Sequence, residues 1–227
     1  MQAVILAGGL GTRLRPLTYQ IPKIMIPIRG KPFLEYLLRL LERNKLKNII
    51  LCVGYLGEKI ENYFSDGKKW GMNIKYSFEK EALGTGGAVK NAENLLENEF
   101  LLLNGDTFLN IDYQNLISYF YAKQKLGTMV IFKNQPKSAL NNVEINSKNE
   151  VINYNKKEEK SANCIDAGVQ VYKKSILELI SPNKIVSLEE EIFPILIQKK
   201  ELAAYPTNQK FYDIGTFKQL ENFNHAL

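Results

Sequence analysis

Glycines, cations and carboxylates carry the chemistry this sequence can do. Near its start, Leu6-Ala7-Gly8-Gly9-Leu10-Gly11-Thr12-Arg13-Leu14-Arg15-Pro16 sets three glycines close together, then a threonine and two arginines. Glycine reaches conformations that aim successive backbone N–H groups at one anion, and guanidinium groups grip phosphate oxygens bidentately. Glycines alone fit a tight strand-to-loop turn equally well; with Arg13 and Arg15 after a buried apolar run, a phosphate loop is the better reading. Leu83-Gly84-Thr85-Gly86-Gly87-Ala88 is a second glycine cluster, placed between a strand and a helix. Ligands bind at such points in open α/β sheets, although these glycines also suit close packing of a helix on a strand. Asn104-Gly105-Asp106 ends another apolar run with a carboxylate, a hard oxygen ligand able to hold Mg²⁺ against a triphosphate.

Two common phosphate loops are excluded. A dinucleotide fingerprint needs a third glycine where Leu14 stands. A Walker A loop needs Gly-Lys-Ser/Thr, but Gly30-Lys31 is followed by Pro32 and Gly67-Lys68 by Lys69. The first stretch instead resembles L-A-G-G-x-G-T-R-L-x-P-L-T, the signature of the sugar-1-phosphate nucleotidylyltransferases, unbroken through Leu17-Thr18.

That resemblance implies a role for each motif. Leu6, Ala7, Gly8, Gly9, Gly11, Thr12 and Arg13 would bind the nucleotide, and Lys23 would meet its phosphates, with Arg13 and Lys23 catalytic. Pro22-Lys23-Ile24-Met25 departs from the family's P-K-P-M by Ile24, which removes one fixed φ. Glu79, Leu83, Gly84, Thr85 and Gly86 would read base and ribose; the form L-G-T-G-G-A is typical of guanylyl- and uridylyltransferase relatives. Asp106 would share a metal with Asp213, which stands in Phe211-Tyr212-Asp213-Ile214-Gly215-Thr216, similar to W-x-D-I-G-T. Either aspartate alone reads as a turn or cap residue; the two in this order read as ligands.

The sugar side would be built by Asn104, Gly105, Glu159, Lys160, Asp166, Gly168 and Gln170. Glu158-Glu159-Lys160-Ser161 is similar to E-K-P with Ser161 for proline, and it also reads as a solvated charge run. Asp166 replaces the usual Asn of I-N-A-G-V, and Asn141-Asn142 replaces Tyr-Gly. Strand alternation puts Asp166, Gly168 and Gln170 on one face, with Gly168 leaving room for a sugar ring. The competing reading has Asp166 bonding a neighbouring backbone amide.

The implied reaction is in-line attack of a sugar 1-phosphate on the α-phosphorus of a nucleoside triphosphate, assisted by Mg²⁺, with pyrophosphate leaving. The motifs most resemble guanylyltransferases for D-glycero-α-D-manno-heptose 1-phosphate or mannose 1-phosphate, which serve bacterial surface polysaccharide synthesis. The alternatives are UTP or CTP with another hexose phosphate, or a non-catalytic nucleotide-sugar-binding subunit.

Composition narrows the classes. The net charge of +6 suits a small anionic substrate, and no basic stripe interleaved with aromatics points to nucleic acid. His225 is the only histidine, which argues against Ser-His-Asp, Cys-His and His-ligated zinc chemistry. No apolar run is long enough for a membrane span. Cys52 and Cys164 read as buried thiols of a reducing compartment, hence a cytoplasmic protein. Oligomeric state is open.

The elements that must position these residues alternate. Strands are expected at 3–6, 48–53, 73–78, 100–103 and 129–132, with helices at 32–41, 58–64, 86–96 and 113–124. The fold class is α/β: a Rossmann-like (GT-A-type) open, mixed, mostly parallel sheet with helices on both faces. Short strands follow at 143–145, 151–154 and 165–172. Ser187-Leu188-Glu189-Glu190 then starts a helix by a capping box, and a closing helix follows Thr216. A single domain over 1–227 with no β-helix tail is expected.

Overall fold

The computed structural model describes residues 1–133, 141–155 and 162–227. In chain order the elements are β1 (Gln2–Leu6), β2 (Pro27–Ile28), β3 (Lys31–Pro32), α1 (Phe33–Arg43), β4 (Asn48–Val53), α2 (Gly57–Phe64), β5 (Asn73–Phe78) and α3 (Gly84–Asn91). They continue with β6 (Glu99–Asn104), β7 (Thr107–Leu109), α4 (Tyr113–Lys123), β8 (Gly127–Lys133), β9 (Val143–Ile145), β10 (Val151–Tyr154) and β11 (Cys164–Lys173). The last are α5 (Phe193–Gln198), β12 (Leu202–Thr207), β13 (Phe211–Asp213) and α6 (Phe217–Ala226).

Apolar runs make the middle of the main sheet. Its order is β10-β9-β11-β6-β1-β4-β5, with β8 on β11 and β12 on β8. The block β6-β1-β4-β5 is parallel, and β11 runs antiparallel to both β6 and β8. This is the expected mixed sheet. Side-chain alternation sends Ala3 and Ile5 into one core with α1, α2, α4 and α6. It sends Val4 into a second core with Ala88 and Val89 of α3 and Phe193 and Leu196 of α5. Helices therefore cover both faces.

The helix α1 shows why the sequence folds this way. Phe33, Leu34, Leu37, Leu38, Leu40 and Leu41 form its buried stripe, each such side chain contributing roughly 1.5–3 kcal/mol on burial. Pro32 stands one residue before the helix and completes the β2–β3 pair.

Several elements differ from the sequence expectation. The helix expected at 86–96 is α3 followed by a 3₁₀ turn, Glu93–Leu95. The strand β12 went unread because Pro206 interrupts its apolar run. β12 pairs along its length with β8, and its further bonds, the bridge Ala203–Glu150 and Ala204 N–H to Asn149 O, stop short of Pro206, where a missing N–H is tolerated. At Ser187 the helix opens as a π-turn, Leu188–Ile192. Ser187 Oγ accepts the Glu190 N–H as a capping box requires, but the return bond to the Ser187 N–H comes from Glu191 Oε1. The wider turn shifts the reciprocal partner by one residue.

Candidate active site

The sheet order changes direction around β1, whose neighbours β4 and β6 come later in the chain and lie on opposite sides. Such a switch point opens a crevice beyond the carboxyl ends of the strands. There lies a cavity of about 460 Å³.

One wall is the loop after β1. Leu6, Ala7, Gly8, Gly9, Leu10, Gly11, Thr12 and Arg13 all line it. The loop is pinned from both sides: Ala7 N–H donates to Cys52 O at 2.8 Å, and Gly105 N–H donates to Leu6 O at 2.9 Å. Gly11 has φ +60°, a conformation that side chains resist, and the Thr18 hydroxyl bonds its carbonyl at 2.9 Å. Gly9 is exposed, with nothing near the space a Cβ would fill. Arg13 is exposed and reaches toward Gly215. Arg15 turns elsewhere and stacks over the Tyr19 ring at 4.9 Å.

The floor carries the charges. Lys23 Nζ donates to Asp106 Oδ2, and both line the cavity. Ile24, the departure from the family pattern, is buried and packs toward Gly105. Its side chain therefore supplies a cavity-lining core contact where proline would have fixed a torsion. Asp213 sits beside Asp106 through the short ladder β7–β13, where Asp213 pairs with Thr107 and Ile214 N–H donates to Asp106 O at 2.9 Å. Burial raises the Asp213 pKa, and Asp106 adds to the rise; the Gly215 N–H, Lys23 and Arg13 oppose it. Gln219 Nε2 donates to Asp213 Oδ2 at 2.6 Å.

Two neighbouring carboxylates, one of them bonded to Lys23 and the other to Gln219 and the Gly215 N–H, offer the hard oxygen ligands that suit Mg²⁺ shared with phosphate oxygens. Asp106 and Asp213 are the residues that would hold it.

Glu79 joins the two glycine segments. Its Oε2 accepts the Leu83 N–H at 2.9 Å, and its Oε1 lies 2.9 Å from the position of a Cβ on Gly8. Burial raises its pKa, against the Leu83 hydrogen bond. Gly84 and Thr85 line the cavity beside it. Leu83 and Gly86 do not: Leu83 O accepts the Val186 N–H, and the Gly86 and Gly87 N–H groups donate to Val186 O. These amides are taken by the chain itself, so at Gly86 and Gly87 the close-packing reading holds. Cβ atoms at Gly84 and Gly87 would lie 2.6 Å from the carbonyls of Val186 and Lys184.

The same segment brings a residue that the motifs did not reveal. Glu189 lines the cavity and accepts from Thr85 Oγ1 at 2.6 Å and Ser187 Oγ at 2.8 Å. The capping-box pattern marked the turn that carries Glu189, but pairing with Thr85 across the chain left no local signal.

Of the residues expected to meet the sugar, Asn104 and Gly105 line the cavity, whereas Asp166, Gly168 and Gln170 do not. Gly168 has φ +70°, and β11 shifts register against β8 between Asp166 and Gln170. Alternation survives the irregularity: Ala167, Val169 and Val171 pack into one core, while Asp166 and Gln170 meet on the opposite face, as the sequence reading expects. The space over Gly168 is filled by Asn104 and Thr107 and does not stand open. Asp166 Oδ1 accepts the Gly168 N–H at 2.9 Å and Gln170 Nε2 at 3.1 Å. The bond to a neighbouring backbone amide is thus present. Burial first, then Glu189, pushes the Asp166 carboxyl up to about 7, opposed by bonds from Gly168, Gln170 and Tyr154. Glu159 and Lys160 lie outside the described residues.

Comparison with known proteins agrees with this arrangement. The nucleotidyl transferase family model matches residues 2–227. The chain belongs to the nucleotidyl transferase family. Among its relatives, D-glycero-alpha-D-manno-heptose 1-phosphate guanylyltransferase of Campylobacter jejuni is 35% identical over 98% of this chain and 98% of its own. The protein of the same name from Aneurinibacillus thermoaerophilus is 33% identical over 95% of this chain and 93% of its own. The crystal structure of HddC from Yersinia pseudotuberculosis complexed with GMP-PN is 29% identical, with a TM-score of 0.83, covering 99% of this chain and 98% of that one. Nucleotidyl transferases of this kind thus share the whole described fold with this chain. Among the described residues, no helix is long and apolar enough to cross a membrane.

Proposed function

We propose that this chain is a cytoplasmic guanylyltransferase that joins GTP to a sugar 1-phosphate of the manno-heptose or mannose type, releasing pyrophosphate. The observation that carries the reading is the single cavity in which a glycine loop, Arg13, Lys23 and Asp106 face one another. The loop and Arg13 bind the triphosphate, and Lys23 draws off charge as pyrophosphate leaves. Mg²⁺ on Asp106 and Asp213, when bound, would supply a Lewis acid for phosphate oxygens. The chain holds the sugar phosphate in line for attack, so positioning replaces any protein nucleophile.

Glu79 supports guanine. Its carboxylate is fixed by the Leu83 amide beside the loop, and an ionised carboxylate offers acceptors only. Guanine presents two adjacent donors on its pairing edge, whereas uracil flanks one donor with two acceptors that a carboxylate repels. The sugar meets Asn104 and Gly105 directly, with the Asp166–Gln170 pair shaping that end of the cavity from behind through Gly168. Glu159 and Lys160 take the sugar hydroxyls and phosphate in this reading.

A matrix of GTP, UTP, CTP, ATP and dTTP against manno-heptose, mannose, glucose and glucosamine 1-phosphates tests it by pyrophosphate release. Turnover confined to GTP with manno-configured sugars is the expected result. Preference for UTP or CTP would reassign the base, and binding without turnover would make the chain a nucleotide-sugar-binding subunit.

A further inference from the structure

Lys23 is claimed from two sides. Its ammonium is bonded to Asp106 Oδ2, and the side chains are 11% and 34% exposed. The pair is sheltered, yet solvent reaches the Asp106 end. Asp213 is set alongside by the β7–β13 ladder, with its Oδ2 accepting from Gln219 Nε2. The ammonium is therefore the cation bonded into this pair of carboxylates, through Asp106. The backbone under it is fixed: Lys23 opens a 3₁₀ turn after Pro22, and the following Ile24 is buried toward Gly105. Only the four-carbon stem is left to swing.

We propose that Lys23 is a resident counter-cation for Asp106, displaced when a divalent ion binds, and that this displacement hands its ammonium to the triphosphate. The idea rests on the reaction proposed above, in which Asp106 takes the metal and Lys23 the phosphate. A divalent ion and an ammonium on one carboxylate oxygen repel each other, while the cavity offers the ammonium a new anion once nucleotide enters. Metal and nucleotide then assist each other through Lys23, a coupling that acts equally in both directions. Each ligand alone meets an ion pair it must open.

The test is a double-mutant cycle over Lys23 and Asp106 with two binding readouts. The first is Mn²⁺ affinity without nucleotide, by electron paramagnetic resonance. Lys23→Met, and Lys23→Gln as a neutral variant that keeps a donor, should bind Mn²⁺ more tightly than the native chain, by on the order of tenfold. Lys23→Arg, which keeps the charge, should stay weak. The second readout is GTP affinity in EDTA. Asp106→Asn should tighten it when Lys23 is present and leave it unchanged when Lys23→Met is also present. Equal Mn²⁺ affinity across the Lys23 variants, or a gain from Asp106→Asn that persists without Lys23, overturns the proposal. A native chain that binds GTP neither with nor without Mn²⁺ overturns the reaction itself, a different result from an additive cycle.

Discussion

Gly9 and Gly11 separate two jobs that a glycine loop combines. Gly11 has φ +60°, and a Cβ there would lie 2.8 Å from Thr18 Cγ2; Gly11→Val should cost roughly 2 kcal/mol of stability and about 4–8 °C in Tm, together with binding. Gly9 has no such neighbour, so Gly9→Val should leave Tm unchanged while weakening GTP binding about tenfold or more, because its side chain stands where backbone must meet phosphate. Calorimetric melts beside GTP titrations of both variants check this, and a Gly9→Val protein with native affinity would remove the loop from the nucleotide site. At Asp106 the expectation is kinetic. Asp106→Asn keeps shape but loses a charged metal ligand, so turnover should fall on the order of a hundredfold or more, and EDTA should abolish it. Unimpaired initial rates in either case would contradict the metal role. Asp166 is instructive in another way: its residue type suggested a sugar reader, but its Oδ1 already carries two internal hydrogen bonds. Side-chain alternation placed Asp166 and Gln170 on one face correctly, but carried no information about Asn104 and Thr107 filling the space over Gly168.

Between elements, the segment from Lys184 to Ile192 acts as a brace on α3. Val186 O takes the Gly86 and Gly87 amides, and Thr85 bonds both Glu189 and the Leu188 N–H. Three glycines in α3 are thus explained by backbone approach more than by ligand contact. Gly87→Ala would set a methyl group 2.6 Å from Lys184 O. Backbone must then move, at a cost of about 1–3 kcal/mol, and Glu189 moves with it. The expected outcome is a lower Tm with a raised KM for substrate and a smaller change in kcat; unchanged KM would separate the brace from the site. The long strands and amphipathic helices were legible because each is a run whose period is set by its own burial. What was not legible depends on partners far away: β12 with Pro206, the three-residue pair β7–β13 that sets Asp213 beside Asp106, and the Thr85–Glu189 bond. None of these leaves a periodic trace in its own segment.

Across the whole molecule, the site sits at the carboxyl ends of the parallel block, and the raised carboxyls beside it and at the neighbouring seam with antiparallel β11 link its chemistry to global stability. The motifs expected to bind the nucleotide and its metal lay in loops after strands β1, β5 and β6, so sequence order and sheet order together located the cavity. The seam itself, where β11 crosses from β6 to β8, carries Asp166. Its carboxyl, ordinarily near 3.8, is held at about 7 in the fold, chiefly by burial and then by Glu189. The unfolded chain gives up this proton near pH 4, and the folded chain keeps it to about pH 7. In that window the native state binds more protons, so stability falls as pH rises and levels off above the folded pKa. Asp166→Asn removes the titration while Oδ1 still accepts from Gly168 and Gln170. The variant should therefore match the native chain more closely at pH 5 and exceed it in Tm at pH 8. Glu79 and Asp213 are also raised and slope the same way, so the decisive quantity is the difference between variant and native Tm across pH. If that difference is the same at pH 5 and pH 8, Asp166 is ionised in the fold at both, and the buried seam contributes no pH dependence through it.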